Sequence, residues 1–289
     1  IDGDSRLALI RVFDDRKDLD PPILSANVQN SILAIIQERQ ESVRLAARGI
    51  SPTRSAILVG PPGVGKTLSA RWIASALGKT LWILDLTAVM SSLLGKTGIN
   101  LRAVMDHAKK HAAVLLLDEI DAIAKRRSDE SDIGELKRLV TVMLQEVDQW
   151  SDSGLLLAAT NHPELVDPAL WRRFDLVLKL DQPDVTAVEK GIRRFLGDDR
   201  KILEPWVDVL AAGLQGLSLS DVERSINTLR RANALQATPI EKLINVVISQ
   251  QQESLSKNER LQLAIQLAKA DKHTHVQISQ MTGVARDKI

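Results

Sequence analysis

The chain predicts an α/β fold: a parallel sheet with helices on both faces, then an α-helical lid, then a small C-terminal helical module that is helix-turn-helix-like. Three observations predict it. Short apolar runs at 56–59, 81–86, 113–117, 155–159 and 176–180 alternate with helical segments, the βαβ rhythm of strands buried on both faces. The first run leads directly into a glycine-rich turn at 60–65 and then a helical pattern. Beyond residue 182 only helical periods continue.

With 289 residues, 44% of them hydrophobic, the chain can bury a large core and favours two domains over one. Residues 1–20 are charged and weakly patterned, and read as a leading segment or linker. An amphipathic helix follows over about 25–47, with Val28, Ile32, Ile35 and Ile36 on one stripe and Gly49 as its C-cap. The expected divisions are 1–20, an α/β domain over 21–182, a helical lid over 183–252 and an appendage over 253–289. Within the lid, helices are expected over 184–196, 202–214 and 220–235.

Composition excludes some chemistry. Lys+Arg 38 against Asp+Glu 37 gives a net charge of +1, so no global field favours nucleic acid or an anionic membrane. Without cysteine there is no disulfide, thiolate nucleophile or thiolate metal site, which fits a reducing cytosol. His107 and His111 are spaced i,i+4 but lack the acidic neighbour of an HExxH site, and read as a helix surface. No apolar run reaches the length of a membrane span and no signal peptide opens the chain, so a cytoplasmic, bacterial protein without membrane contact is expected. Because the first residue is Ile1, the sequence reads as a fragment.

The strand, turn and helix centred on Gly60-Pro61-Pro62-Gly63-Val64-Gly65-Lys66-Thr67 carry the chemistry. Glycines let consecutive backbone N–H groups turn inward around phosphate oxygens, and the helix that follows presents its positive end to the same anion. Lys66 is placed to reach the β and γ phosphates and the Thr67 hydroxyl to bind Mg²⁺. The run Val114-Leu115-Leu116-Leu117-Asp118-Glu119 then delivers two adjacent acids at a buried strand's tip, a poor choice for packing. It suits phosphoryl transfer, with Asp118 on Mg²⁺ and Glu119 polarising the attacking water. A third strand ends in Thr160-Asn161, where the Asn161 amide can orient water or contact the γ phosphate, or simply form a turn before Pro163. Arg172 and Arg173 precede the last strand and, taken alone, read as surface residues.

The four stretches GPPGVGKT, VLLLDEID, AATN and DPALWRRFD, in this order and spacing over about 21–235, resemble the AAA family of ring-forming ATPases. The resemblance implies a P-loop NTPase sheet and ATP hydrolysis with ATP and Mg²⁺ as cofactors. Residue by residue, it makes Lys66 and Thr67 the Walker A pair, Asp118 and Glu119 the Walker B pair and Asn161 the first sensor. Arg172 and Arg173 fall where the family places arginine fingers that reach a neighbour's ATP, which implies a homo-oligomer, usually a hexameric ring. By analogy Leu68 completes the nucleotide-contacting run, and Ile23 and Leu24 lie beside the adenine, although the family's usual Val-Gly pair is missing. Gly216 to Asp221 resembles the start of the family's lid helix, with Ser220 and Asp221 as capping residues.

The load is less defined. Gly95 and Asn100-Leu101-Arg102 align Leu93-Leu94 with the family's aromatic-aliphatic pore pair, and Leu93 offers less contact area and no ring face. Lys96 and Lys125-Arg126-Arg127 suit an anionic substrate equally well, or a solvated face. The segment 259–268 is an amphipathic helix, and Ile278, Gly283, Val284 and Ile289 resemble a helix-turn-helix whose recognition helix starts near Ala285. A protein substrate is the first expectation. DNA bound through 255–289, a nucleotide-dependent switch or scaffold, and plain lid padding by those helices stay open.

Overall fold

The computed structural model describes residues 10–14, 19–87, 97–122, 133–235, 239–251, 256–269 and 274–286. The chain forms two compact units, one comprising 1–22 and 26–181, the other 23–25 and 182–289.

The first unit is built on a six-stranded sheet in the order β1-β3-β4-β5-β2-β6. Its strands are β1 (Ile10–Phe13), β2 (Ser55–Val59), β3 (Leu81–Asp85), β4 (Val114–Asp118), β5 (Leu155–Thr160) and β6 (Leu176–Lys179). All pairings are parallel except β1 with β3. Every residue of β2 and β5 is buried, as expected of strands covered on both faces. The strand β1 was not anticipated, since its four residues lie in the charged leading segment. It pairs antiparallel at the sheet edge, Ile10 packs on the core, and Arg71 sits 5.0 Å above the Phe13 ring. Four residues, of which the middle two, Arg11 and Val12, are both exposed, make no alternating pattern that could stand out beside so many charges.

The helices of this unit are α1 (Ala26–Gln40), α2 (Ser42–Ala46), α3 (Lys66–Ala76), α4 (Thr97–Lys110), α5 (Ile133–Asp148) and the short α6 (Pro168–Trp171). The predicted apolar stripe of α1 is buried, but the helix breaks at Glu41 (φ −97°, ψ 21°) rather than running on to 47. Gly49 does close the second piece. Its N–H bonds to Ala46 O and the Ile50 N–H to Leu45 O, a paired arrangement that needs the left-handed φ of 70°.

The second unit is helical: α7 (Val185–Phe195), α8 (Arg200–Leu203), α9 (Val207–Gly213), α10 (Leu219–Ala234), α11 (Ile240–Gln251), α12 (Lys257–Lys269) and α13 (His275–Thr282). The single helix expected over 202–214 is divided by a 3₁₀ turn at Glu204–Trp206, because Pro205 cannot donate into an α-helical ladder. The N-cap of α10 is Ser218, which accepts from the Asp221 N–H, so Ser220 lies inside the helix rather than at its cap. Leu263, Ala264 and Leu267 of α12 and Ile278 and Met281 of α13 share one apolar core with Ile226 and Ile248. The expected appendage is therefore part of the core of this unit. Of the recognition helix expected from Ala285, only 285 and 286 are among the described residues, and 287–289 lie outside them.

Candidate functional site

Parallel strands β4, β5 and β2 are neighbours, so the residues at their C-terminal ends form one edge. At the tip of β2, the Gly60 N–H donates to Thr160 O at 3.3 Å and the chain turns through residues 61–65. A Cβ on Gly60 would stand 2.0 Å from the Leu180 carbonyl oxygen, so only glycine passes there. Gly65, left-handed at φ 100°, starts α3, and its carbonyl accepts from the Ser69 N–H and hydroxyl at 2.8 and 2.9 Å. Val64 is buried, Thr67 half-buried, and Pro62 and Leu68 are exposed.

Lys66, the first residue of α3, is only 8% exposed. Its ammonium donates to Gly60 O at 2.7 Å, Pro61 O at 2.8 Å and Asn161 Oδ1 at 2.6 Å. Burial pulls the Lys66 pKa down, opposed by Asp118 and Asp121. Burial also raises the Asp118 carboxyl, while the Glu119 N–H donating to Asp118 Oδ1 at 3.1 Å opposes that shift. A partly desolvated carboxylate near a desolvated ammonium is an arrangement that a hydrated cation and a polyphosphate can both satisfy.

Glu119 follows with φ 55°, a left-handed conformation uncommon outside glycine. Its Oε2 accepts from the Thr87 hydroxyl at 2.9 Å, two residues past the end of β3. Thr87 in turn is set by its N–H bond to Asp85 Oδ1 at 2.9 Å, and Asp85 pairs in register with Asp118. Behind the edge, the Thr160 hydroxyl donates to buried Asp121 at 2.9 Å and accepts from the His162 N–H at 3.0 Å, which fixes the backbone on both sides of Asn161. Sequence reasoning missed Thr87, Thr160 and Asp121. Each acts by a contact across strands, and no local pattern marks it.

The arginine pair divides. Arg173 donates to Asp148 Oδ2 at 2.8 Å and to Ala169 O at 3.1 Å, whereas Arg172 is exposed and makes no ion pair among the described residues. Asp167 caps α6 through the Ala169 N–H at 2.8 Å, and Pro168 supplies its first turn. Ile23 and Leu24 belong to the second unit, where Ile23 lies beside Gly191. Leu93, Leu94, Gly95, Lys96, Lys125, Arg126 and Arg127 lie outside the described residues. The described residues contain no helix long and apolar enough to cross a membrane, and no group of three or more potential metal-ligating side chains of His, Cys, Asp or Glu.

Comparisons with known proteins agree with this geometry. The family described as "ATPase family associated with various cellular activities (AAA)" matches residues 56–182. An uncharacterized AAA family ATPase, y4kL, of Sinorhizobium fredii is 34% identical over 70% of this chain and 61% of its own length. The ATP-dependent zinc metalloprotease FtsH 3 of Sphaerobacter thermophilus is 32% identical over 86% of this chain and 56% of its own. The chain thus spans about three fifths of the length of these curated relatives. The crystal structure of the FIGL-1 AAA domain superposes with a TM-score of 0.65 at 18% identity, covering 91% of this chain and 92% of that one, a likeness of fold. The match over 56–182 spans the glycine turn, the acidic strand tip, Asn161 and the arginine pair, and these residues are an ATPase domain of the AAA family.

Proposed function

We propose that this chain hydrolyses ATP with Mg²⁺ at the C-terminal edge of β4, β5 and β2, and that it works as a homo-oligomeric, ring-forming ATPase that remodels a protein substrate. The observation that carries the reading is the three-point hold on Lys66. Its ammonium is gathered by two loop carbonyls and by Asn161, at the place where the loop amides would cradle phosphates.

In this reading residues 60–68 bind the phosphates and Lys66 reaches the β and γ groups. The Thr67 hydroxyl and the Asp118 carboxylate are hard oxygen donors of the kind Mg²⁺ prefers, and the desolvated Asp118 has electrostatic reason to take a cation. Bound there, Mg²⁺ would neutralise charge on the phosphates. Glu119 accepts the proton of the attacking water, and Asn161 orients that water or the γ phosphate. Arg172 and Arg173 complete a neighbour's site, which is why a ring, commonly of six, is part of the proposal. Ile23 and Leu24 are proposed for the adenine.

The relatives' names support an ATP-driven activity, and the one called a metalloprotease acts on protein, which favours a protein load over DNA. A cytoplasmic site of action remains part of the proposal. The test is ATPase rate against protein concentration, with unfolded protein or duplex DNA added, for the parent, Glu119→Gln and Arg172→Ala/Arg173→Ala. A per-subunit rate that rises with concentration and with unfolded protein, and collapses in both variants, is expected. A rate independent of concentration and of the arginines would refute shared sites, and stimulation by DNA alone would refute the protein load.

A further inference from the structure

The C-terminal turn of α4 carries an arrangement that the ATPase reading does not use. His107 and His111, one helical turn apart, bring their rings to a centroid separation of 4.3 Å. Trp82 of β3 lies against both, stacked on His107 at 5.1 Å and tilted against His111 at 5.4 Å. Trp82 itself is 9% exposed, while both histidines are exposed. The indole is thus a fixed wall that narrows the rotamers of two solvent-facing imidazoles.

One hydrogen bond sets the tautomer. His111 Nδ1 is 2.9 Å from the His107 carbonyl oxygen. A carbonyl can only accept, so Nδ1 carries the proton in this contact and the lone pair of His111 is left on Nε2. Metal-ligating histidines typically donate their other ring N–H to a carbonyl or carboxylate in this way, which fixes ring orientation and raises ligand basicity. Of the two lysines between the histidines, Lys109 is drawn away to Glu146 at 2.6 Å and over the Trp150 ring at 5.6 Å, and Lys110 is exposed to solvent. The helix end also has something to gain. Ala112 closes it at φ 48°, a left-handed conformation costly for a residue with a Cβ, and a chelate across the last turn would hold that end in place.

We propose that His107 and His111 form a two-imidazole chelate for a late first-row divalent ion of the Zn²⁺, Ni²⁺ or Cu²⁺ class, with water completing the coordination. Imidazole nitrogen selects these ions over Mg²⁺, which prefers oxygen, so the site is chemically separate from the proposed ATP-linked metal. It does not depend on the proposed function.

The test titrates the full chain with Ni²⁺ and reads tryptophan fluorescence, because Trp82 touches both ligands. Saturable quenching at one ion per chain is expected, reversed by Zn²⁺ and not by excess Mg²⁺, and retained in Asp118→Asn. His107→Gln and His111→Gln should each weaken binding by about tenfold or more. Trp82→Phe should abolish the quenching while calorimetry still detects the ion. Circular dichroism of each variant checks that the fold is kept. Weakening of less than about tenfold in either histidine variant, displacement by Mg²⁺, or quenching that survives Trp82→Phe would overturn the proposal.

Discussion

The Lys66 ammonium donates to Asn161 Oδ1 at 2.6 Å across 95 positions of sequence, joining the start of α3 to the end of β5. This contact links the residue proposed to hold phosphate to the one proposed to sense it. A phosphate oxygen competes with Asn161 for the same N–H groups, so nucleotide would release the Asn161 amide toward water or the γ phosphate. Asn161→Ala should leave ATP binding within a few-fold and lower kcat by about 10²-fold. Lys66→Ala should lose ATP binding itself. Nucleotide binding and steady-state turnover, measured side by side, separate the two effects.

Thr87 restrains the proposed base. Its hydroxyl donates to Glu119 Oε2, and because both side chains are exposed to competing water the bond is a modest restraint, about 0.5–1.5 kcal/mol. Glu119 must turn toward water to act, so Thr87→Val should raise basal ATPase several-fold, and Thr87→Ser should restore the parent rate. A Thr87→Val rate at or below the parent would show that the hydroxyl aligns the base instead.

Asp148 and Arg173 give the arginine pair unequal roles. With Arg173 held at 2.8 Å by Asp148 and Arg172 without an ion pair among the described residues, Arg172 is the freer of the two for the role in trans proposed for the pair. Arg172→Ala should reduce the assembled rate by about 10³-fold, the scale of an arginine finger. Asp148→Ala should change it much less. Mixing Arg172→Ala with Glu119→Gln subunits should restore activity only if the arginine acts on a neighbour.

Asp118 predicts a conflict between stability and function. Burial raises its carboxyl above the ordinary aspartate value. Between those two values the folded chain binds more protons than the unfolded one, so stability falls as pH rises through that window and stays lowered above it. Asp118→Asn removes the desolvated charge. At neutral pH the variant should melt higher than the parent, lose that advantage on acidification through the window, and show no turnover. Thermal unfolding against pH, without nucleotide, checks the sign.

Gly60 and Gly49 make a paired backbone test. An added methyl at Gly60 meets the Leu180 carbonyl at 2.0 Å, whereas at Gly49 it meets nothing within 4 Å. Gly60→Ala should therefore destabilise by about 1–3 kcal/mol or more through overpacking and disturb nucleotide binding. Gly49→Ala should cost only about 1–2 kcal/mol from its left-handed φ, with ATPase intact. Chemical denaturation reads both.

The strand β2, its glycine turn, the acidic tip of β4 and the Asn161 tip of β5 were legible in the sequence because each is a local pattern: an apolar run that must be buried, ended by residues that packing would not choose. The parallel sheet followed from their alternation with helices. Helix ends were less legible. Ser218 rather than Ser220 caps α10, and Glu41 breaks α1, because cap geometry depends on backbone angles that neighbouring residue types leave open.

What the sequence by itself determined is the set of groups available: a glycine turn, two acids, an amide and two arginines, each at the end of an element whose period is local. Only tertiary structure decided how they are used. The grip of Lys66 on Asn161, the bond from Thr87 to Glu119, the hold of Asp148 on Arg173 and the edge strand β1 all depend on strand order and register. The use of α12 and α13 as core of the second unit was decided in the same way. These are long-range pairings, and their energies arise only once distant segments have been brought together and their water removed.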